Sequence, residues 1–551
     1  MFSRPRSLIP ALLMTLALAA CAGTAVVPAA PEKPKLVVLI VVDGLPQRQV
    51  TAYRDQLAPD GLARLLDRGT WFANAHYSHA YTVTAAGHAA VLTGASPSRS
   101  GIIGNEWRDP ASGAAVYCTG DTTASYIGHA TQPLDGTSPR NLKVQTVGDV
   151  LRGVDARSKV IAVSGKDRGA ILPAGHKGTA YMYMASSGQF ASSTYYMQQH
   201  PAWVQAFNAA RPADRFFRQQ WTPLLAESAY SRSLPDNQTW FGPAGGALPM
   251  RYGASQDEAP GPRYYGSLLR GPFQDQLTLE FARAAIAAEQ LGQDDAPDIL
   301  SVSLSGHDYV NHAFSAESRL SHDHTLQLDR MLQSFFRDLD TIVGKDRYVV
   351  VLTADHGFMP APEYSSSLGL SAGRLNSSQM LARLNQGLQA RFGEGKWLRG
   401  YSASTLLLDK TLIAQRQLDA AALAEAARDL LLAEPAIVAA FTRAELLSGS
   451  RAGAPFFEAM RAAWHPDVSG DVQYALKPNW LFSSGFSGTT HGSPHAYDTN
   501  VPLLWYGPKW FKPGRVDARV AVADIAPSLS RLLGVAAPDG SQGQLLPLAA
   551  P

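Results

Sequence analysis

The chain has 551 residues, 46% of them hydrophobic and 17% charged, a balance that excludes an intrinsically disordered protein. Its 47 glycines follow no three-residue period and it has only two cysteines, which excludes collagen-like and disulfide-scaffold classes. The 48 basic and 46 acidic side chains leave a net charge of +2, so no basic field draws nucleic acid and none is expected as a partner.

The N-terminus reads as an address. Arg4 and Arg6 precede an apolar run from Leu8 to Ala20, the pattern of a signal peptide. The run is shorter than the roughly 20 residues a membrane span needs. Leu18-Ala19-Ala20-Cys21 resembles a bacterial lipobox, in which the cysteine is lipidated after cleavage; the alternative is an ordinary signal peptide cut nearby at small residues. The expected organisation is a signal peptide over 1–21, an Ala/Pro-rich tether over 22–34 and a catalytic body over 35–551. Export is expected, to the periplasm, the outer membrane or the medium of a Gram-negative bacterium. Membrane contact is expected only through a lipid on Cys21, because no later stretch is long and apolar enough to span. With Cys21 lipidated or removed, Cys118 has no partner and no disulfide is expected.

Lys35 to Val42 is an aliphatic run ending at Asp43-Gly44, which predicts a strand buried on both faces. The pattern recurs at Val160 to Ser164, Ile299 to Leu304, Tyr348 to Thr353 and Val501 to Trp505. Helical periodicity marks Gln274 to Leu291, Ser315 to Ile342 and Ala420 to Leu432. Alternation of this kind predicts an α/β fold, a three-layer α/β/α sandwich around a central, mostly parallel sheet. Ligands of such sheets sit beyond the carboxyl ends of the strands. Two aromatic, Gly/Pro-rich stretches, about 175–272 and 357–487, read as insertions capping the sheet.

Polar residues follow the apolar runs. Asp43 ends the first strand, Asp308-x3-His312 follows another, Asp355-His356 a third, and His491-Gly492 lies in a Gly/Ser/Thr loop. A lone Asp after a strand is usually a turn or cap residue. Three carboxylates and three imidazoles at successive strand ends instead suit metal ligation: zinc, or iron or manganese. Six ligands exceed one tetrahedral zinc, so two ions are implied, as in paired-metal phosphatase sites. His495 competes with His491, which is preferred because Gly492 lets the backbone crowd a site. His322 and His324 are expected on a solvated helix face. His76, His79 and His307 are expected to support structure or the site rather than to ligate.

Thr84, in TVTAAGH, is placed at a helix start, where free N–H groups favour an anion, with Thr82 as its rival for a nucleophile. Lys166 and Arg168, in an extended segment after a strand, can point the same way and offer an ammonium and a guanidinium fork to phosphate. Asn105 adds an amide donor.

The order of these motifs resembles the alkaline phosphatase superfamily, and more closely the bacterial threonine-nucleophile, single-chain alkaline phosphatases of the PafA/PhoK type. The resemblance rests on Asp43, TVTAAGHAAVLTGASPSRSGIIGN with Thr84 and Asn105, KDRGAILPAGH, D-x3-H, DHG and HGS…YDTNVPLLWYG, and runs from about Lys35 to Leu533. It implies a phosphomonoesterase with two Zn2+ per chain. One zinc would be held by Asp308, His312 and His491, the other by Asp43, Asp355 and His356 with Thr84 bridging to it. Lys166, Arg168 and Asn105 would bind the non-bridging oxygens of small-molecule phosphate monoesters. Thr84 is preferred over Thr82, and His491 over His495, on the same ground. A monomer is expected. A nucleotide pyrophosphatase/phosphodiesterase with the same metals is the alternative, and a metal- or phosphate-binding surface lipoprotein without turnover is the alternative of another class. No Cys/Ser-x-Pro-x-Arg motif supports a sulfatase.

Overall fold

The computed structural model describes residue 1 and residues 32–551, apart from 243, 244, 254–256, 484 and 486. The expected signal peptide beyond Met1, the Cys21 lipobox and all but the end of the tether lie outside the described residues. Residues 34–551 pack as one unit. No helix among the described residues is long and apolar enough to cross a membrane.

In chain order the larger strands are β1 (Leu36–Val42), β2 (Thr70–Phe72), β3 (Val160–Ser164), β4 (Thr179–Met184), β5 (Gln189–Ala191), β6 (Asp298–Leu304) and β7 (Tyr348–Thr353). Then come β8 (Leu398–Ser402), β9 (Thr405–Leu408), β10 (Ile437–Thr442), β11 (Val472–Leu476), β12 (Leu503–Tyr506) and β13 (Gly514–Val516). The central sheet has nine strands in the order β13-β2-β12-β7-β1-β6-β3-β4-β5. Its middle, β7-β1-β6-β3-β4, is parallel. Every residue of β1 is buried, because a parallel strand covered on both faces can be aliphatic throughout. At about 1.5–3 kcal/mol per buried aliphatic side chain, β1 alone contributes on the order of 10 kcal/mol before chain entropy is counted.

Two expectations are corrected here. The strand read at Val501 to Trp505 runs instead over Leu503–Tyr506 and is antiparallel to β7. An apolar run buried on both faces carries no direction, and only the connection sets it. Residues 179–191, read as part of a capping insertion, extend the central sheet as β4 and β5. The run TAYMYM is rich in strand-favouring aromatics, which outweighs the loop-like Gly/Pro around it.

Within the second stretch, 357–487, four strands form a separate sheet. β8, β9, β11 and β10 pair antiparallel in that order over a separate core that includes Trp397, Leu406, Leu423 and Val472. The turn between β8 and β9 comes down on the central body, where Ser402 Oγ accepts from the Arg108 backbone N–H at 2.8 Å.

The principal helices are α1 (Thr84–Thr93), α2 (Asp167–Ala174), α3 (Pro272–Ala288), α4 (Gly306–Phe314), α5 (Arg319–Leu339) and α6 (Ala420–Ala433). The long helix read from Ser315 to Ile342 starts later, at Arg319, because the Ser318 side chain caps it by accepting from Ser321 N–H.

Candidate active site

The register of the parallel strands sets the site. Val42 lies opposite Leu304, Val41 opposite Thr353 and Ser303 opposite Ser164, so β1, β6, β7 and β3 end level with one another. Asp43, Asp355-His356, Asp308 and Lys166 therefore leave the sheet at one edge. Asp308 and His312 lie one turn apart on α4, with His312 Nε2 at 3.4 Å from Asp308 Oδ1. His491 Nε2 reaches the same oxygen at 3.6 Å. His356 Nε2 lies 3.5 Å from Asp43 Oδ1 and 3.3 Å from Asp355 Oδ2. The His356 and His491 rings stack at 3.4 Å, which brings the two groups side by side.

Each imidazole is held from behind. His312 Nδ1 faces the Thr489 carbonyl at 2.9 Å, His356 Nδ1 the Gly357 carbonyl at 2.9 Å and His491 Nδ1 the Thr82 carbonyl at 2.8 Å. A carbonyl accepts only, so each Nδ1 carries the proton and each Nε2 keeps its lone pair toward the carboxylates. Asp43 Oδ1, Asp308 Oδ1, Asp355 Oδ2 and His356 Nε2 are buried without a hydrogen-bond partner among the described residues. Four orphaned acceptors converging from three strand ends are costly unless a cation satisfies them. The donor set, carboxylate oxygens and neutral imidazoles, fits zinc. Two groups lie close enough to hold an ion: Asp43, Asp355 and His356, and Asp308, His356 and His491. His312 joins the second group through its approach to Asp308.

The electrostatics follow from burial. Burial, then the neighbouring Asp355, pushes Asp43 well above the usual carboxylate range, with Lys166 opposing. Burial also pushes Asp308 upward, but Lys166 and the imidazoles hold it well below that range. Asp355 is lowered as well, by His356 and His88 acting against burial. Carboxylates this close titrate as a set. Burial, with His356 beside it, holds His491 well below the ordinary imidazole value, and His356 is lowered by burial too, so both present neutral nitrogen.

Thr84 is the first residue of α1 and is buried. Helix α1 can approach the site because residue 87 is glycine: a Cβ there would lie 2.0 Å from the Asp355 carbonyl oxygen. Thr82 has another task. Its carbonyl accepts from His491 and its hydroxyl donates to the Ser493 carbonyl at 3.0 Å. His495 is turned away, with Nε2 on the Leu476 carbonyl at 2.8 Å. Asn105 accepts from Ala85 N–H at 2.9 Å, which pins its amide beside the start of α1.

Lys166 and Arg168 do not share an extended segment. Lys166 is the N-cap of α2 and Arg168 lies in its first turn, because the chain enters the helix directly at Asp167. The Lys166 ammonium sits 2.8 Å from Asp43 and 2.6 Å from Asp308, where it offsets the buried charge of Asp308 and opposes the upward push on Asp43. The Arg168 guanidinium donates to Tyr117 Oη at 3.1 Å, and Tyr117 in turn donates to Asp167 at 2.6 Å.

Three contributors escaped the sequence reading. His88, one turn after Thr84, places Nδ1 at 2.9 Å from the Thr84 carbonyl and 3.2 Å from Asp355 Oδ2. Its signal was the i, i+4 spacing from Thr84. Tyr117 has no local signal. Asp498 accepts from Ser493 N–H and Oγ–H at 2.9 and 2.6 Å while its own carbonyl holds Gly357 N–H at 2.7 Å, joining the loops of His491 and His356.

The expected solvated face at His322 and His324 is corrected: both are buried, with Asp323 between them. Asp323 accepts from Trp221 Nε1 and Leu224 N–H, His322 bonds Ser233 and Gln56, and His324 meets His307 at 3.1 Å. Helix α5 is covered on more than one side, which its polar sequence does not reveal. His307 and His76 make supporting contacts, to Gln49 and to Thr499 and Asn74. Cys118 is buried and free.

A family model described as type I phosphodiesterase / nucleotide pyrophosphatase matches residues 37–498. The chain is 34% identical to alkaline phosphatase PafA of Elizabethkingia meningoseptica, over 94% of each chain. It is 34% identical to alkaline phosphatase PhoV of Synechococcus elongatus, over 95% of this chain and 94% of that one. The crystal structure of wild-type alkaline phosphatase PafA matches with a TM-score of 0.86 at 32% identity, covering 94% of this chain and 99% of that chain. A PafA variant with a threonine, an asparagine, a lysine and an arginine replaced matches with a TM-score of 0.85.

Proposed function

We infer, since this chain belongs to the type I phosphodiesterase / nucleotide pyrophosphatase family and is an enzyme of the alkaline phosphatase superfamily, that it hydrolyses phosphate monoesters through a phosphothreonine on Thr84. The observation that carries this reading is the convergence of Asp43, Asp308, Asp355, His312, His356 and His491 at one edge of the sheet, beside Thr84 at a helix start. Asp308, His312 and His491 would hold one Zn2+, and Asp43, Asp355 and His356 the other, with Thr84 beside it. When bound, such ions supply Lewis acidity that lowers the pKa of an alcohol and stabilises a departing oxygen.

The chain's own groups do the rest. Thr84 Oγ attacks phosphorus in line, the new Oγ–P bond replaces the ester P–O bond, and the alcohol leaves. Water then cleaves the phosphothreonine, releasing phosphate and restoring the hydroxyl. The start of α1 turns the positive end of its helix dipole toward the anion. Asn105, Lys166 and Arg168 bind the non-bridging oxygens. A monoester is nearly a dianion above its second pKa of about 6 and offers three such oxygens. A diester offers one charge and fewer free oxygens, so this clamp favours monoesters. The replaced threonine, asparagine, lysine and arginine of the PafA variant follow the same order as Thr84, Asn105, Lys166 and Arg168, which supports assigning the four a common task.

Export and a lipid anchor at Cys21 complete the proposal. The diesterase reading is favoured only by the description of the family model. The test is a panel of phosphate monoesters, phosphate diesters and sulfate esters on zinc-loaded protein, with mass analysis for phosphate trapped on Thr84. Monoester turnover with phosphate on Thr84 is expected; faster turnover of bis-aryl than of aryl monophosphate would overturn the assignment. Retained zinc with no turnover of any ester would favour the binding lipoprotein.

A further inference from the structure

The capping sheet meets the active site across a cavity of about 260 Å3. One side is the ligand loop, with Thr490, His491 and Ser493, together with Tyr81. Tyr81 and Ala403 also bracket Gly104, the residue before Asn105. The other side comes from the cap and is aromatic. Tyr401 and Phe482 stack with centroids 5.6 Å apart, and Phe482 meets Tyr474 edge-on at 5.8 Å. Trp480 extends this wall. Tyr401 is 39% exposed, although stacked aromatics are normally covered. In the same wall Gln473 is 1% exposed, and its Oε1 has no hydrogen-bond partner among the described residues. An acceptor buried and unpaired beside a cavity is satisfied when something in the cavity donates to it.

We propose that this cavity is the leaving-group subsite, and that it takes a planar aromatic or heteroaromatic group presenting an N–H or O–H donor to Gln473. The inference rests on the phosphomonoesterase reading and deepens it. The volume is just below the usual range of ligand pockets, about 300–1,000 Å3, and suits one ring system rather than a chain. Among the described residues no lysine or arginine lines it, so a leaving group with a second phosphate finds no counter-charge there. The aromatic wall offers stacking that any π-face can use, while Gln473 distinguishes a donor-bearing edge from a bare ring.

The test measures kcat/KM of zinc-loaded protein for adenosine 5′-monophosphate, phenyl phosphate and glycerol phosphate, in the wild type, Tyr401→Ala, Phe482→Ala and Gln473→Leu. Both aromatic truncations are expected to lower the adenosine monophosphate-to-glycerol phosphate and phenyl-to-glycerol phosphate ratios about tenfold. Gln473→Leu is expected to lower the adenosine monophosphate ratio and leave the phenyl ratio unchanged. Ratios that stay within about twofold of wild type in all three variants would overturn the subsite while leaving the phosphatase reading intact. A wild type that turns over none of the three esters would overturn the phosphatase reading itself.

Discussion

At the edge of the central sheet Asp43, Asp308, Asp355 and His356 are buried, polar and fixed by backbone, whereas the cap facing them presents Tyr401, Trp480 and Phe482, partly exposed and largely apolar. The sheet edge owes its geometry to strand register, which cannot shift without turning side chains to the wrong face. The cap has its own core, so its cavity-facing residues can change without disturbing β1, β6 or β7. The proposed function thus puts reaction chemistry on the part that tolerates least change, and the proposed subsite puts selectivity on the part that tolerates most.

Metal removal should separate the two regions most sharply. A chelator is expected to bring ester turnover to background and to lower Tm, because orphaned acceptors at the sheet edge lose their partner; added zinc restores both. Unchanged activity after verified metal loss would break the comparison. Next in size, Thr84→Ala should cost about 10^3-fold or more in kcat with zinc content retained, read by steady-state kinetics and metal analysis. Lys166→Ala with Arg168→Ala should lower kcat/KM for an aryl monophosphate about 10^2-fold or more, and for a bis-aryl phosphate far less. Equal losses would remove the argument for monoesters.

The smallest expected effect lies away from both regions. Burial pushes His322 down to about 4, and it stacks on Tyr53 with ring centroids 3.5 Å apart. In the unfolded chain it titrates near 6.5. Between those values the unfolded state binds more protons, so stability rises with pH from about 4 to about 6.5 and is flat above. His322→Gln should flatten that slope, by on the order of 2 kcal/mol across the window in urea unfolding. An unaltered slope would show that other groups carry it.

Much of the sheet was legible because β7, β1, β6 and β3 are nearly continuous aliphatic runs, and each ended within a residue or two of its expected bound. Asp43, Asp355-His356 and Asp308-x3-His312 could be read because they directly follow those runs. Tyr117 could not, since it lies in a short polar hairpin with nothing local to mark a neighbour 50 or more residues away, and the i, i+4 spacing of His88 from Thr84 does not announce its contact with Asp355. The burial of His322, Asp323 and His324 was equally hidden. A helix sequence reveals one apolar stripe, while polar partners such as Trp221, Ser233 and Gln56 arrive from distant loops.

By itself the sequence determined the aliphatic strands β1, β3, β6 and β7, the starts of α1 and α6 and the side chains that can bind a cation or an anion, because periodicity and residue chemistry are local properties. Tertiary structure alone decided which of those side chains share a site, the direction of β12, the pairing of Lys166 with Asp43 and Asp308, and the aromatic cavity between the cap and His491. Those are distances between segments tens to hundreds of residues apart, and only the packing of strands in register brings them to contact.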